Sequence, residues 1–523
     1  MLTLAIFTHW DWLVLGGYFL LMAAIGAIAC RYKSDAKGYF LAERSMPVWA
    51  VALSTVATAL SVATFTGAPA HSFEDDLTYL STYIGGFIAA LIVAWLFIPR
   101  FYRAGTVTIY GYIEQRLGES SRTAVSLMFL VGRMLASGAR LFIAAIPVCL
   151  LLFGSFNPSR TQLIIAVFII GAVGIAYIVA GGIRAVIWTD SMQIAIVMGA
   201  VLLSIFLLLH KIPLSIGQIV DVLRQPGSDG YSKLRLLDFS WSTDPKHPWT
   251  FWASLIGGTC MGVASFGVDH DLAQRMLTAK SPFRGSVSVI AAQCLNIVVV
   301  AMFLAVGLLL YIFYRQPELM GTAAPKDVLL SKDQVYPQFL YIHLPAGLAG
   351  LAMAGLMAAA QGSLASAINA MASSIVADLY WPLRKRLGLS VDPSRKSKAP
   401  RVAVVGVGLL LIGVAVLSVF RYDPKNDTIL RFALGVMAFA YSGMLGVFLT
   451  ALLTRRGSTL SVIASLVVGV LVVTALQKEL CPWWTGRVFG RPIQLAEYWW
   501  LPIGAALSFV VCLLGRPRGV VER

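Results

Sequence analysis

The chain has 523 residues, of which 58% are hydrophobic and only 13% are charged, and its formal net charge is +16. Soluble domains average about 25% charged residues, so this composition excludes a soluble globular protein and indicates a polytopic membrane protein. The basic residues cluster in alternate loops between apolar runs, as in Arg384, Lys385 and Arg386. That is the charge pattern of membrane topology, and we therefore expect a lipid bilayer and no nucleic acid as a partner.

An all-α membrane fold follows from the apolar runs, because a helix that crosses a bilayer needs about 20 apolar residues. The sequence predicts about thirteen spans, at 11–30, 48–72, 77–99, 122–152, 161–180, 187–209, 249–269, 285–313, 344–378, 400–420, 428–453, 459–476 and 497–515. An odd number of spans puts the termini on opposite sides. The more basic loops predict an N-terminus outside and a C-terminus in the cytoplasm, in a plasma membrane or in the inner membrane of a Gram-negative cell.

The second span contains the stretch LSTVATALSVATFTGAPAH at 53–71, which is rich in Ala, Ser, Thr and Val and carries Gly67 and Pro69. Gly costs about 1 kcal/mol and Pro about 3 kcal/mol in a helix interior. Within a bilayer a broken helix is tolerated where its freed carbonyls face protein, water or an ion, which makes 53–71 a candidate binding site. The alternative is a continuous helix that is kinked at the proline and packs through its small residues.

Ionisable residues lie inside two further spans. The fourth contains Arg133 and Arg140 in VGRMLASGARLF, and the sixth opens with Asp190 in AGGIRAVIWTDSMQ. A charge within the membrane is costly and is a functional-site hypothesis by default. In the functional interpretation, each arginine coordinates an anion or supplies a gating charge. In the alternative, each forms a structural ion pair or snorkels toward an inner vestibule. Asp190 either faces a cation or a basic partner, or it caps a helix or pairs with Arg184 at the interface.

The seventh span, WTFWASLIGGTCMGVASFG, carries Gly257, Gly258 and Gly262, so we predict a second weakened helix five spans after the first. Spans two to eleven then form two five-helix halves at 48–209 and 249–453. Because five is odd, the halves have inverted topologies, and sites are expected where they meet. The span 11–30 is an extra first helix, and 459–515 supplies two C-terminal helices of a single transmembrane domain at 1–523.

The ninth span contains GLMAAAQGSLASAINAMASS, in which small and hydroxyl residues recur every three or four positions and therefore share a face. These residues are Ala359, Gly362, Ser363, Ser366, Ala370 and Ser373. Such a face allows close contact between helices. It also offers hydroxyl oxygens, which hard cations prefer as ligands, opposite the carbonyls that a broken helix would free.

Seven motifs follow one another along the chain, namely YFLAERSMPVWAVALSTVATALSVATFTGAPA, FIPRFYRAGTVTIYGYIEQRLG, SGARLFIAA, GGIRAVIWTDSMQ, VDHDLAQRMLTAKS, AAAQGSLASAINAMAS and GMLGVFLTALLTRRGS. In this order they resemble the motifs of the sodium/solute symporter family over nearly the whole chain. The resemblance implies the leucine-transporter fold with an extra first helix. It also implies alternating access, in which one bundle of helices rocks against the other.

The resemblance further implies which residues bind the ion and the solute. The family's sodium site falls on the carbonyls of Ala57, Leu60 and Ala359 and on the hydroxyl positions 362 and 363, of which only Ser363 carries a hydroxyl here. Water, Gln361 or a carbonyl would have to replace the oxygen that Gly362 lacks. If that gap is real, Gly362→Ser should tighten sodium activation, and no change would mean that another group already fills it.

A second ion site in some members matches Asp190 and Ser366, whereas Gly362 and Ala365 offer it no hydroxyl. The substrate positions of the broken helix fall on Ala59, Ser61 and Thr64. The fourth span, with Arg133 and Arg140, resembles that of members that carry organic anions, including sialic acid and monocarboxylates.

These observations predict a secondary active transporter that couples sodium to the movement of a small organic solute, with no cofactor and with sodium as its only metal ion. Two other functions stay open, namely a transporter-like sensor that works with a separate signalling partner and a symporter driven by protons. We do not expect an enzyme, because the six histidines lack an HExxH spacing and no GxxxxGK[ST] phosphate loop occurs. The sequence does not predict an oligomeric state.

Overall fold

The protein is helical throughout the part of the chain that its structure, a computed structural model, describes. The described residues are 8–30, 35–155, 158–227, 230–245, 247–325, 327, 334–389, 398–421, 429–478 and 480–516. An all-α polytopic membrane fold is therefore confirmed.

Sixteen helices carry the architecture and are numbered in chain order. They are α1 (His9–Cys30), α2 (Val48–Ala59), α3 (Val62–Glu74), α4 (Thr82–Ile92), α5 (Ile98–Ala104), α6 (Glu119–Phe153), α7 (Arg160–Lys211), α8 (Phe251–Val263), α9 (His270–Met276), α10 (Pro282–Arg315), α11 (Leu348–Ser374), α12 (Ala399–Arg421), α13 (Ile429–Leu453), α14 (Thr459–Ala475), α15 (Leu480–Phe489) and α16 (Glu497–Leu513). Short connecting helices cover Ala36–Leu41, Tyr110–Leu117, Ile216–Arg224, Pro317–Met320, Val335–Ile342 and Trp381–Arg386.

The number of spans is not settled at thirteen. Within the described ranges, nine helices are long and apolar enough to cross a bilayer, and the number rises to eleven if each of two sharply bent pairs counts as one span. The two predicted spans that are left, 161–180 and 497–515, coincide with shorter apolar helices at Arg160–Ala176 and Glu497–Leu513. The count of thirteen and the division into inverted halves therefore stay predictions.

The second span is broken, as one of the two sequence interpretations proposed. Helices α2 and α3 meet at an angle of 68°. Leu60 and Ser61 between them are extended, with φ/ψ of −75°/124° and −125°/171°. The break does not fall at Gly67 and Pro69, which lie inside α3. Gly67 and Pro69 thus predicted correctly which span is broken, but not where in that span the break lies.

The fifth and sixth predicted spans form one long helix, α7, which changes direction at Gly182. This glycine has φ 57° and ψ −151°, a conformation that is essentially restricted to glycine. A Cβ at this position would also lie 2.5 Å from the Tyr39 carbonyl oxygen. Gly182 therefore separates the two segments that hydropathy predicts as separate spans.

The glycines of the seventh span do not weaken it, contrary to our prediction. Gly257, Gly258 and Gly262 lie within regular helix α8, and the irregular backbone follows at the π-helical turn Ala264–Val268. Gly258 brings α8 onto α4, since a Cβ there would lie 2.7 Å from the Thr82 carbonyl oxygen. Small residues at such positions let helix backbones approach closely in a membrane.

Helix α11 lies at the centre of the protein and is the most deeply buried long helix of the described chain. It packs against α7, α6, α1 and α12 and also contacts both halves of the broken span. Nearly all of its side chains are buried, including all its serines. Any polar atom on α11 must therefore find its partner inside the protein.

Gly258→Leu should destabilise the protein, because the new side chain would press on the backbone of α4, which cannot rotate away. Overpacking a close contact costs about 1–3 kcal/mol. The expected result is a lower unfolding temperature in detergent. The matched control is Gly199→Leu, because no heavy atom lies within 4 Å of a Cβ at that position. Equal unfolding temperatures for the two variants would contradict the proposed contact.

Candidate ion and solute site

The backbone break in the second span frees the carbonyl of Ala57. The last turn of α2 closes with a hydrogen bond of 2.8 Å from Leu60 N to Val56 O. Because Leu60 and Ser61 are extended, the helical ladder does not continue to Ala57. Carbonyls in the last turn of a helix need partners outside that helix.

Gly362 of α11 lies directly opposite this carbonyl. A Cβ built on Gly362 would be 3.5 Å from Ala57 O, 3.6 Å from Asp190 Oδ1 and 2.9 Å from Gln193 Oε1. These three oxygens therefore surround one point, and we call them the oxygen cluster. The structure brings Ala57, Gly362 and Asp190 together, as members of two predicted ion sites, and adds Gln193, which sequence reasoning missed.

Two oxygens of this cluster lack protein partners. Asp190 Oδ1 and Gln193 Oε1 are both buried, and neither accepts a hydrogen bond from any described residue. The side chains of Asp190 and Gln193 are 0% and 1% exposed. Leaving a buried polar atom unsatisfied costs about 1–3 kcal/mol, and more for a charged group. A bound cation would satisfy both atoms, since hard cations take carboxylate and carbonyl oxygens as ligands.

The other oxygen of Asp190 is held by a buried network of charges. Asp190 Oδ2 lies 3.0 Å from Arg275 Nη2 and accepts a 2.6 Å hydrogen bond from Ser54 Oγ. Arg275 Nε donates to Ser54 Oγ at 2.8 Å, and Arg275 Nη1 lies 3.2 Å from Asp271 Oδ1. Asp190 therefore pairs with Arg275. Arg184, the partner weighed from the sequence, instead donates to the backbone of Ala42 and to Ser45.

Arg133 belongs to the same network. Its Nη1 lies 2.9 Å from Asp269 Oδ2, and its Nη2 pairs with Asp271. Tyr441 also donates to Asp269 Oδ2, at 2.5 Å. Arg133 is 3% exposed, so its ion pairs are buried and it does not snorkel. We name Arg133, Asp190, Asp269, Asp271 and Arg275 the buried charge network.

Ser366 joins this network too. Its hydroxyl donates to Asp271 Oδ1. Because Arg275 contacts both Asp271 and Asp190, a cation bridging Ser366 and Asp190 would have a guanidinium close by. The hydroxyl of Ser366, one of the two residues of the predicted second ion site, is thus directed to Asp271.

Ser363 and Arg140 border the same small cavity. Ser363 Oγ donates back to Ala359 O and Ala360 O, each at 3.3 Å. Together with Ser137 and Arg140 it borders a cavity of about 10 Å³, the volume that one water-sized sphere occupies. No salt bridge joins Arg140 to a carboxylate of any described residue. The two intramembrane arginines of α6 therefore differ, since Arg133 forms salt bridges to Asp269 and Asp271 and Arg140 forms none to a described carboxylate.

The candidate solute positions lie at the break itself. Ala59 is exposed although Thr58 and Leu60 beside it are buried, so open space reaches the end of α2. Ser61 begins α3 without a side-chain capping hydrogen bond, and Thr64 in the first turn is partly exposed. The N-terminus of α3 thus offers amides and hydroxyls toward that space.

Sequence reasoning missed Gln193 and the acidic residues Asp269 and Asp271. One signal was available, because Asp190 and Gln193 are three residues apart and so share a helix face. No local signal could have paired Asp190 with Arg275, which lies between the predicted spans 249–269 and 285–313. Arg275 is fully buried, and its partners Asp190 and Ser54 come from distant parts of the chain.

A broken membrane helix beside a buried cluster of oxygens defines the class of ion-coupled membrane transporters. Residues 39–469 match the sodium:solute symporter family, and the chain belongs to that family.

The chain is similar to the sodium/sialic acid symporter SiaT of Proteus mirabilis, with 26% identity over 89% of both chains. It is 27% identical to the mouse sodium-coupled monocarboxylate transporter 1 over 88% of this chain and 72% of that protein. A solved structure of a Na+-coupled sialic acid symporter matches with a TM-score of 0.80 and 24% identity over 97% of each chain. The protein is therefore a sodium-coupled solute symporter, as predicted, with sodium as its coupling ion.

Arg133→Met should destabilise the protein strongly, because Asp269 and Asp271 would lose their guanidinium partner in the interior. Removing one member of a buried pair costs about 3–5 kcal/mol. The readout is the unfolding temperature in detergent without sodium or solute. The control is Arg315→Met, which breaks an exposed pair with Glu74, since exposed pairs contribute about 0–1 kcal/mol. A change no larger than that of the control would show that the Arg133 pairs are dispensable.

Proposed function

We propose that the protein moves a small organic anion into the cell together with one sodium ion. The sodium ion binds at the oxygen cluster formed by Ala57, Asp190 and Gln193, and Arg140 binds the carboxylate of the solute. The observation that carries the anion is the contrast between the two arginines of α6. Arg133 is paired with the carboxylates of Asp269 and Asp271, whereas Arg140 borders a cavity whose lining residues include no carboxylate.

The electrostatics of the break support an anion as well. The N-terminus of α3 starts at the break, and a helix N-terminus favours negative charge through its free amides and its dipole. Helix α3 packs against α6, which carries Arg140, and against α11, which carries Ser363. The solutes in the names of two relatives, sialic acid and monocarboxylates, are organic anions as well.

One sodium ion is the stoichiometry that the geometry favours. Asp190 Oδ1 faces the same point as the Ala57 carbonyl, so the two predicted ion sites share one place. The other member of the predicted second site, Ser366, gives its hydroxyl to Asp271. Leu60, Ala359 and Ser363, the other members of the predicted sodium site, are buried as well.

This stoichiometry fixes the driving force. One Na+ and a solute of charge −1 carry no net charge, so the membrane potential, worth about 2.3 kcal/mol per charge at 100 mV, does not contribute. A tenfold sodium gradient then sustains about tenfold accumulation of the solute.

We further propose a plasma-membrane location with the N-terminus outside, and alternating access by rocking of the helical bundles.

Arg140→Met should abolish the uptake of carboxylates while leaving the fold intact, because no described carboxylate loses a salt-bridge partner. The measurement is sodium-driven uptake of sialic acid, pyruvate and glucose into proteoliposomes. We expect uptake of at least one carboxylate and none of glucose by the wild type. Arg140→Lys, which keeps the charge but loses the bidentate geometry, should retain part of the activity. Full carboxylate uptake by Arg140→Met, or glucose uptake by the wild type, would refute the anion proposal.

Ser363→Ala should raise the sodium concentration needed for half-maximal uptake several-fold, because one oxygen ligand is lost. The same proteoliposomes test the stoichiometry. Uptake of a monocarboxylate should generate no current and should not respond to an imposed potential, whereas a second coupled sodium ion would make it electrogenic. Uptake that follows a proton gradient without sodium would contradict the ion assignment. Ser418→Ala is the control, because Ser418 Oγ only donates to Val414 O within α12, away from the cluster.

A further inference from the structure

The ligand position that Gly362 leaves without a hydroxyl is occupied by another oxygen. We propose that the side-chain carbonyl of Gln193 replaces the missing hydroxyl in the sodium site, and that the glycine at 362 is what makes room for it. This inference rests on the proposed placement of sodium at the oxygen cluster. It assigns Gln193 a role in binding the ion and gives Gly362 a steric role.

The first support is the position of Gln193 Oε1. It lies 2.9 Å from the place where a Cβ of residue 362 would stand, which is closer than a carbon and an oxygen normally pack. A serine side chain at 362 and the present position of Gln193 Oε1 therefore exclude each other. Ala57 O and Asp190 Oδ1 lie at 3.5 and 3.6 Å from the same point, so all three oxygens border the space that a side chain on residue 362 would enter.

The second support is that the Gln193 amide is held with its oxygen toward the site. Its Nε2 donates to Tyr18 OH at 3.4 Å and to Met22 Sδ at 3.6 Å, and both acceptors belong to α1. Both α1 residues are 4% exposed, so these acceptors lie in the interior. With the amide nitrogen turned toward α1, Oε1 faces the oxygen cluster and has no partner among the described residues.

The third support is the helix face on which Gln193 lies. Asp190 and Gln193 are separated by three residues on α7, so their side chains project in the same direction. Each contributes one buried oxygen without a partner. A carboxylate oxygen, an amide oxygen and a backbone carbonyl oxygen together form a ligand set that favours hard cations over softer ones.

The other glutamine that could fill the gap is engaged elsewhere. Gln361 precedes Gly362 on α11, but its Nε2 donates to Ile170 O at 3.1 Å. Its Oε1 lies 3.3 Å from the place of a Cβ on Gly174, so the side chain is directed at the first segment of α7. Gln193 is therefore the replacement that the geometry selects.

The test exchanges the two ligand sources. Gln193→Ala should raise the sodium concentration for half-maximal thermal stabilisation about tenfold, because one ligand is lost without a substitute. Gly362→Ser alone should also weaken sodium binding, because the new Cβ displaces the Gln193 oxygen. The double variant Gln193→Ala/Gly362→Ser should return to within about threefold of the wild type, since the serine hydroxyl can then enter the vacated space. Sodium titration of the unfolding temperature measures all three without any solute.

Two further variants separate folding from binding. Gln193→Met keeps the volume of the side chain and removes the oxygen, so it should reproduce the loss seen with Gln193→Ala. Gln293→Met is the matched control, because Gln293 is equally buried but donates to Tyr83 O on α4. A sodium requirement unchanged by Gln193→Met, or tightened by Gly362→Ser alone, would overturn the proposal.

The result also distinguishes this inference from the proposed sodium site. If Ser363→Ala raises the sodium requirement and Gln193→Met does not, sodium binds near α11 without Gln193, and only the inference on Gln193 fails. If neither variant changes the sodium requirement, the ion binds elsewhere, and the proposed site itself fails.

Discussion

The division of labour between the two oxygens of Asp190 is the constraint on which the centre of this protein depends. Oδ2 is fixed by Arg275 and Ser54, and Oδ1 is left free beside the carbonyl of Ala57. Burying a carboxylate costs several kcal/mol, so the pairing with Arg275 is what allows Asp190 to lie there at all. The same pairing orients the free oxygen toward the break. The internal charge pairing and the proposed ion binding would thus use the two oxygens of one carboxylate.

Helix packing explains why the break lies where it does. Gly67 and Pro69, the residues that lowered helix propensity, lie inside α3, where Gly307 of α10 packs against the Pro69 carbonyl. The two extended residues, Leu60 and Ser61, carry no comparable signal in their residue types. Propensity could therefore identify the span that breaks, whereas the break lies where α2, packed on α7 and α10, ends and α3, packed on α10 and α6, begins. The glycines of α8 show the same limit, since Gly258 and Gly262 bring α8 onto α4 and Gly257 brings it onto α16.

Much of the fold was predictable, because a bilayer allows only long apolar helices and the sequence displays them directly. The candidate site was predictable in part. Ala57 and Gly362 meet as their motifs implied, whereas Asp190, which the resemblance assigned to a second ion site, lies beside the same point. The partners of the charged residues were not predictable, because Arg275 and Arg133 reach carboxylates that are 85 and 136 residues away. Hydropathy left Arg275 in a loop between two predicted spans, because hydropathy does not take account of an ion pair that allows a charge to be buried.

The origin of the ligands decides which motions can release the ion. A ligand set drawn from α2 and α11 alone would loosen whenever those two helices separate. With Asp190 and Gln193, two side-chain oxygens come from α7, and α1 holds the Gln193 amide through Tyr18 and Met22. An ion shifts a conformational equilibrium only by its difference in affinity for the two states. In the proposed site the ligands span α2 and α7, so a sodium ion bound there would favour the state in which these helices are close. The proposed orientation of Gln193 by α1 would thereby add to the energy that couples sodium to the solute.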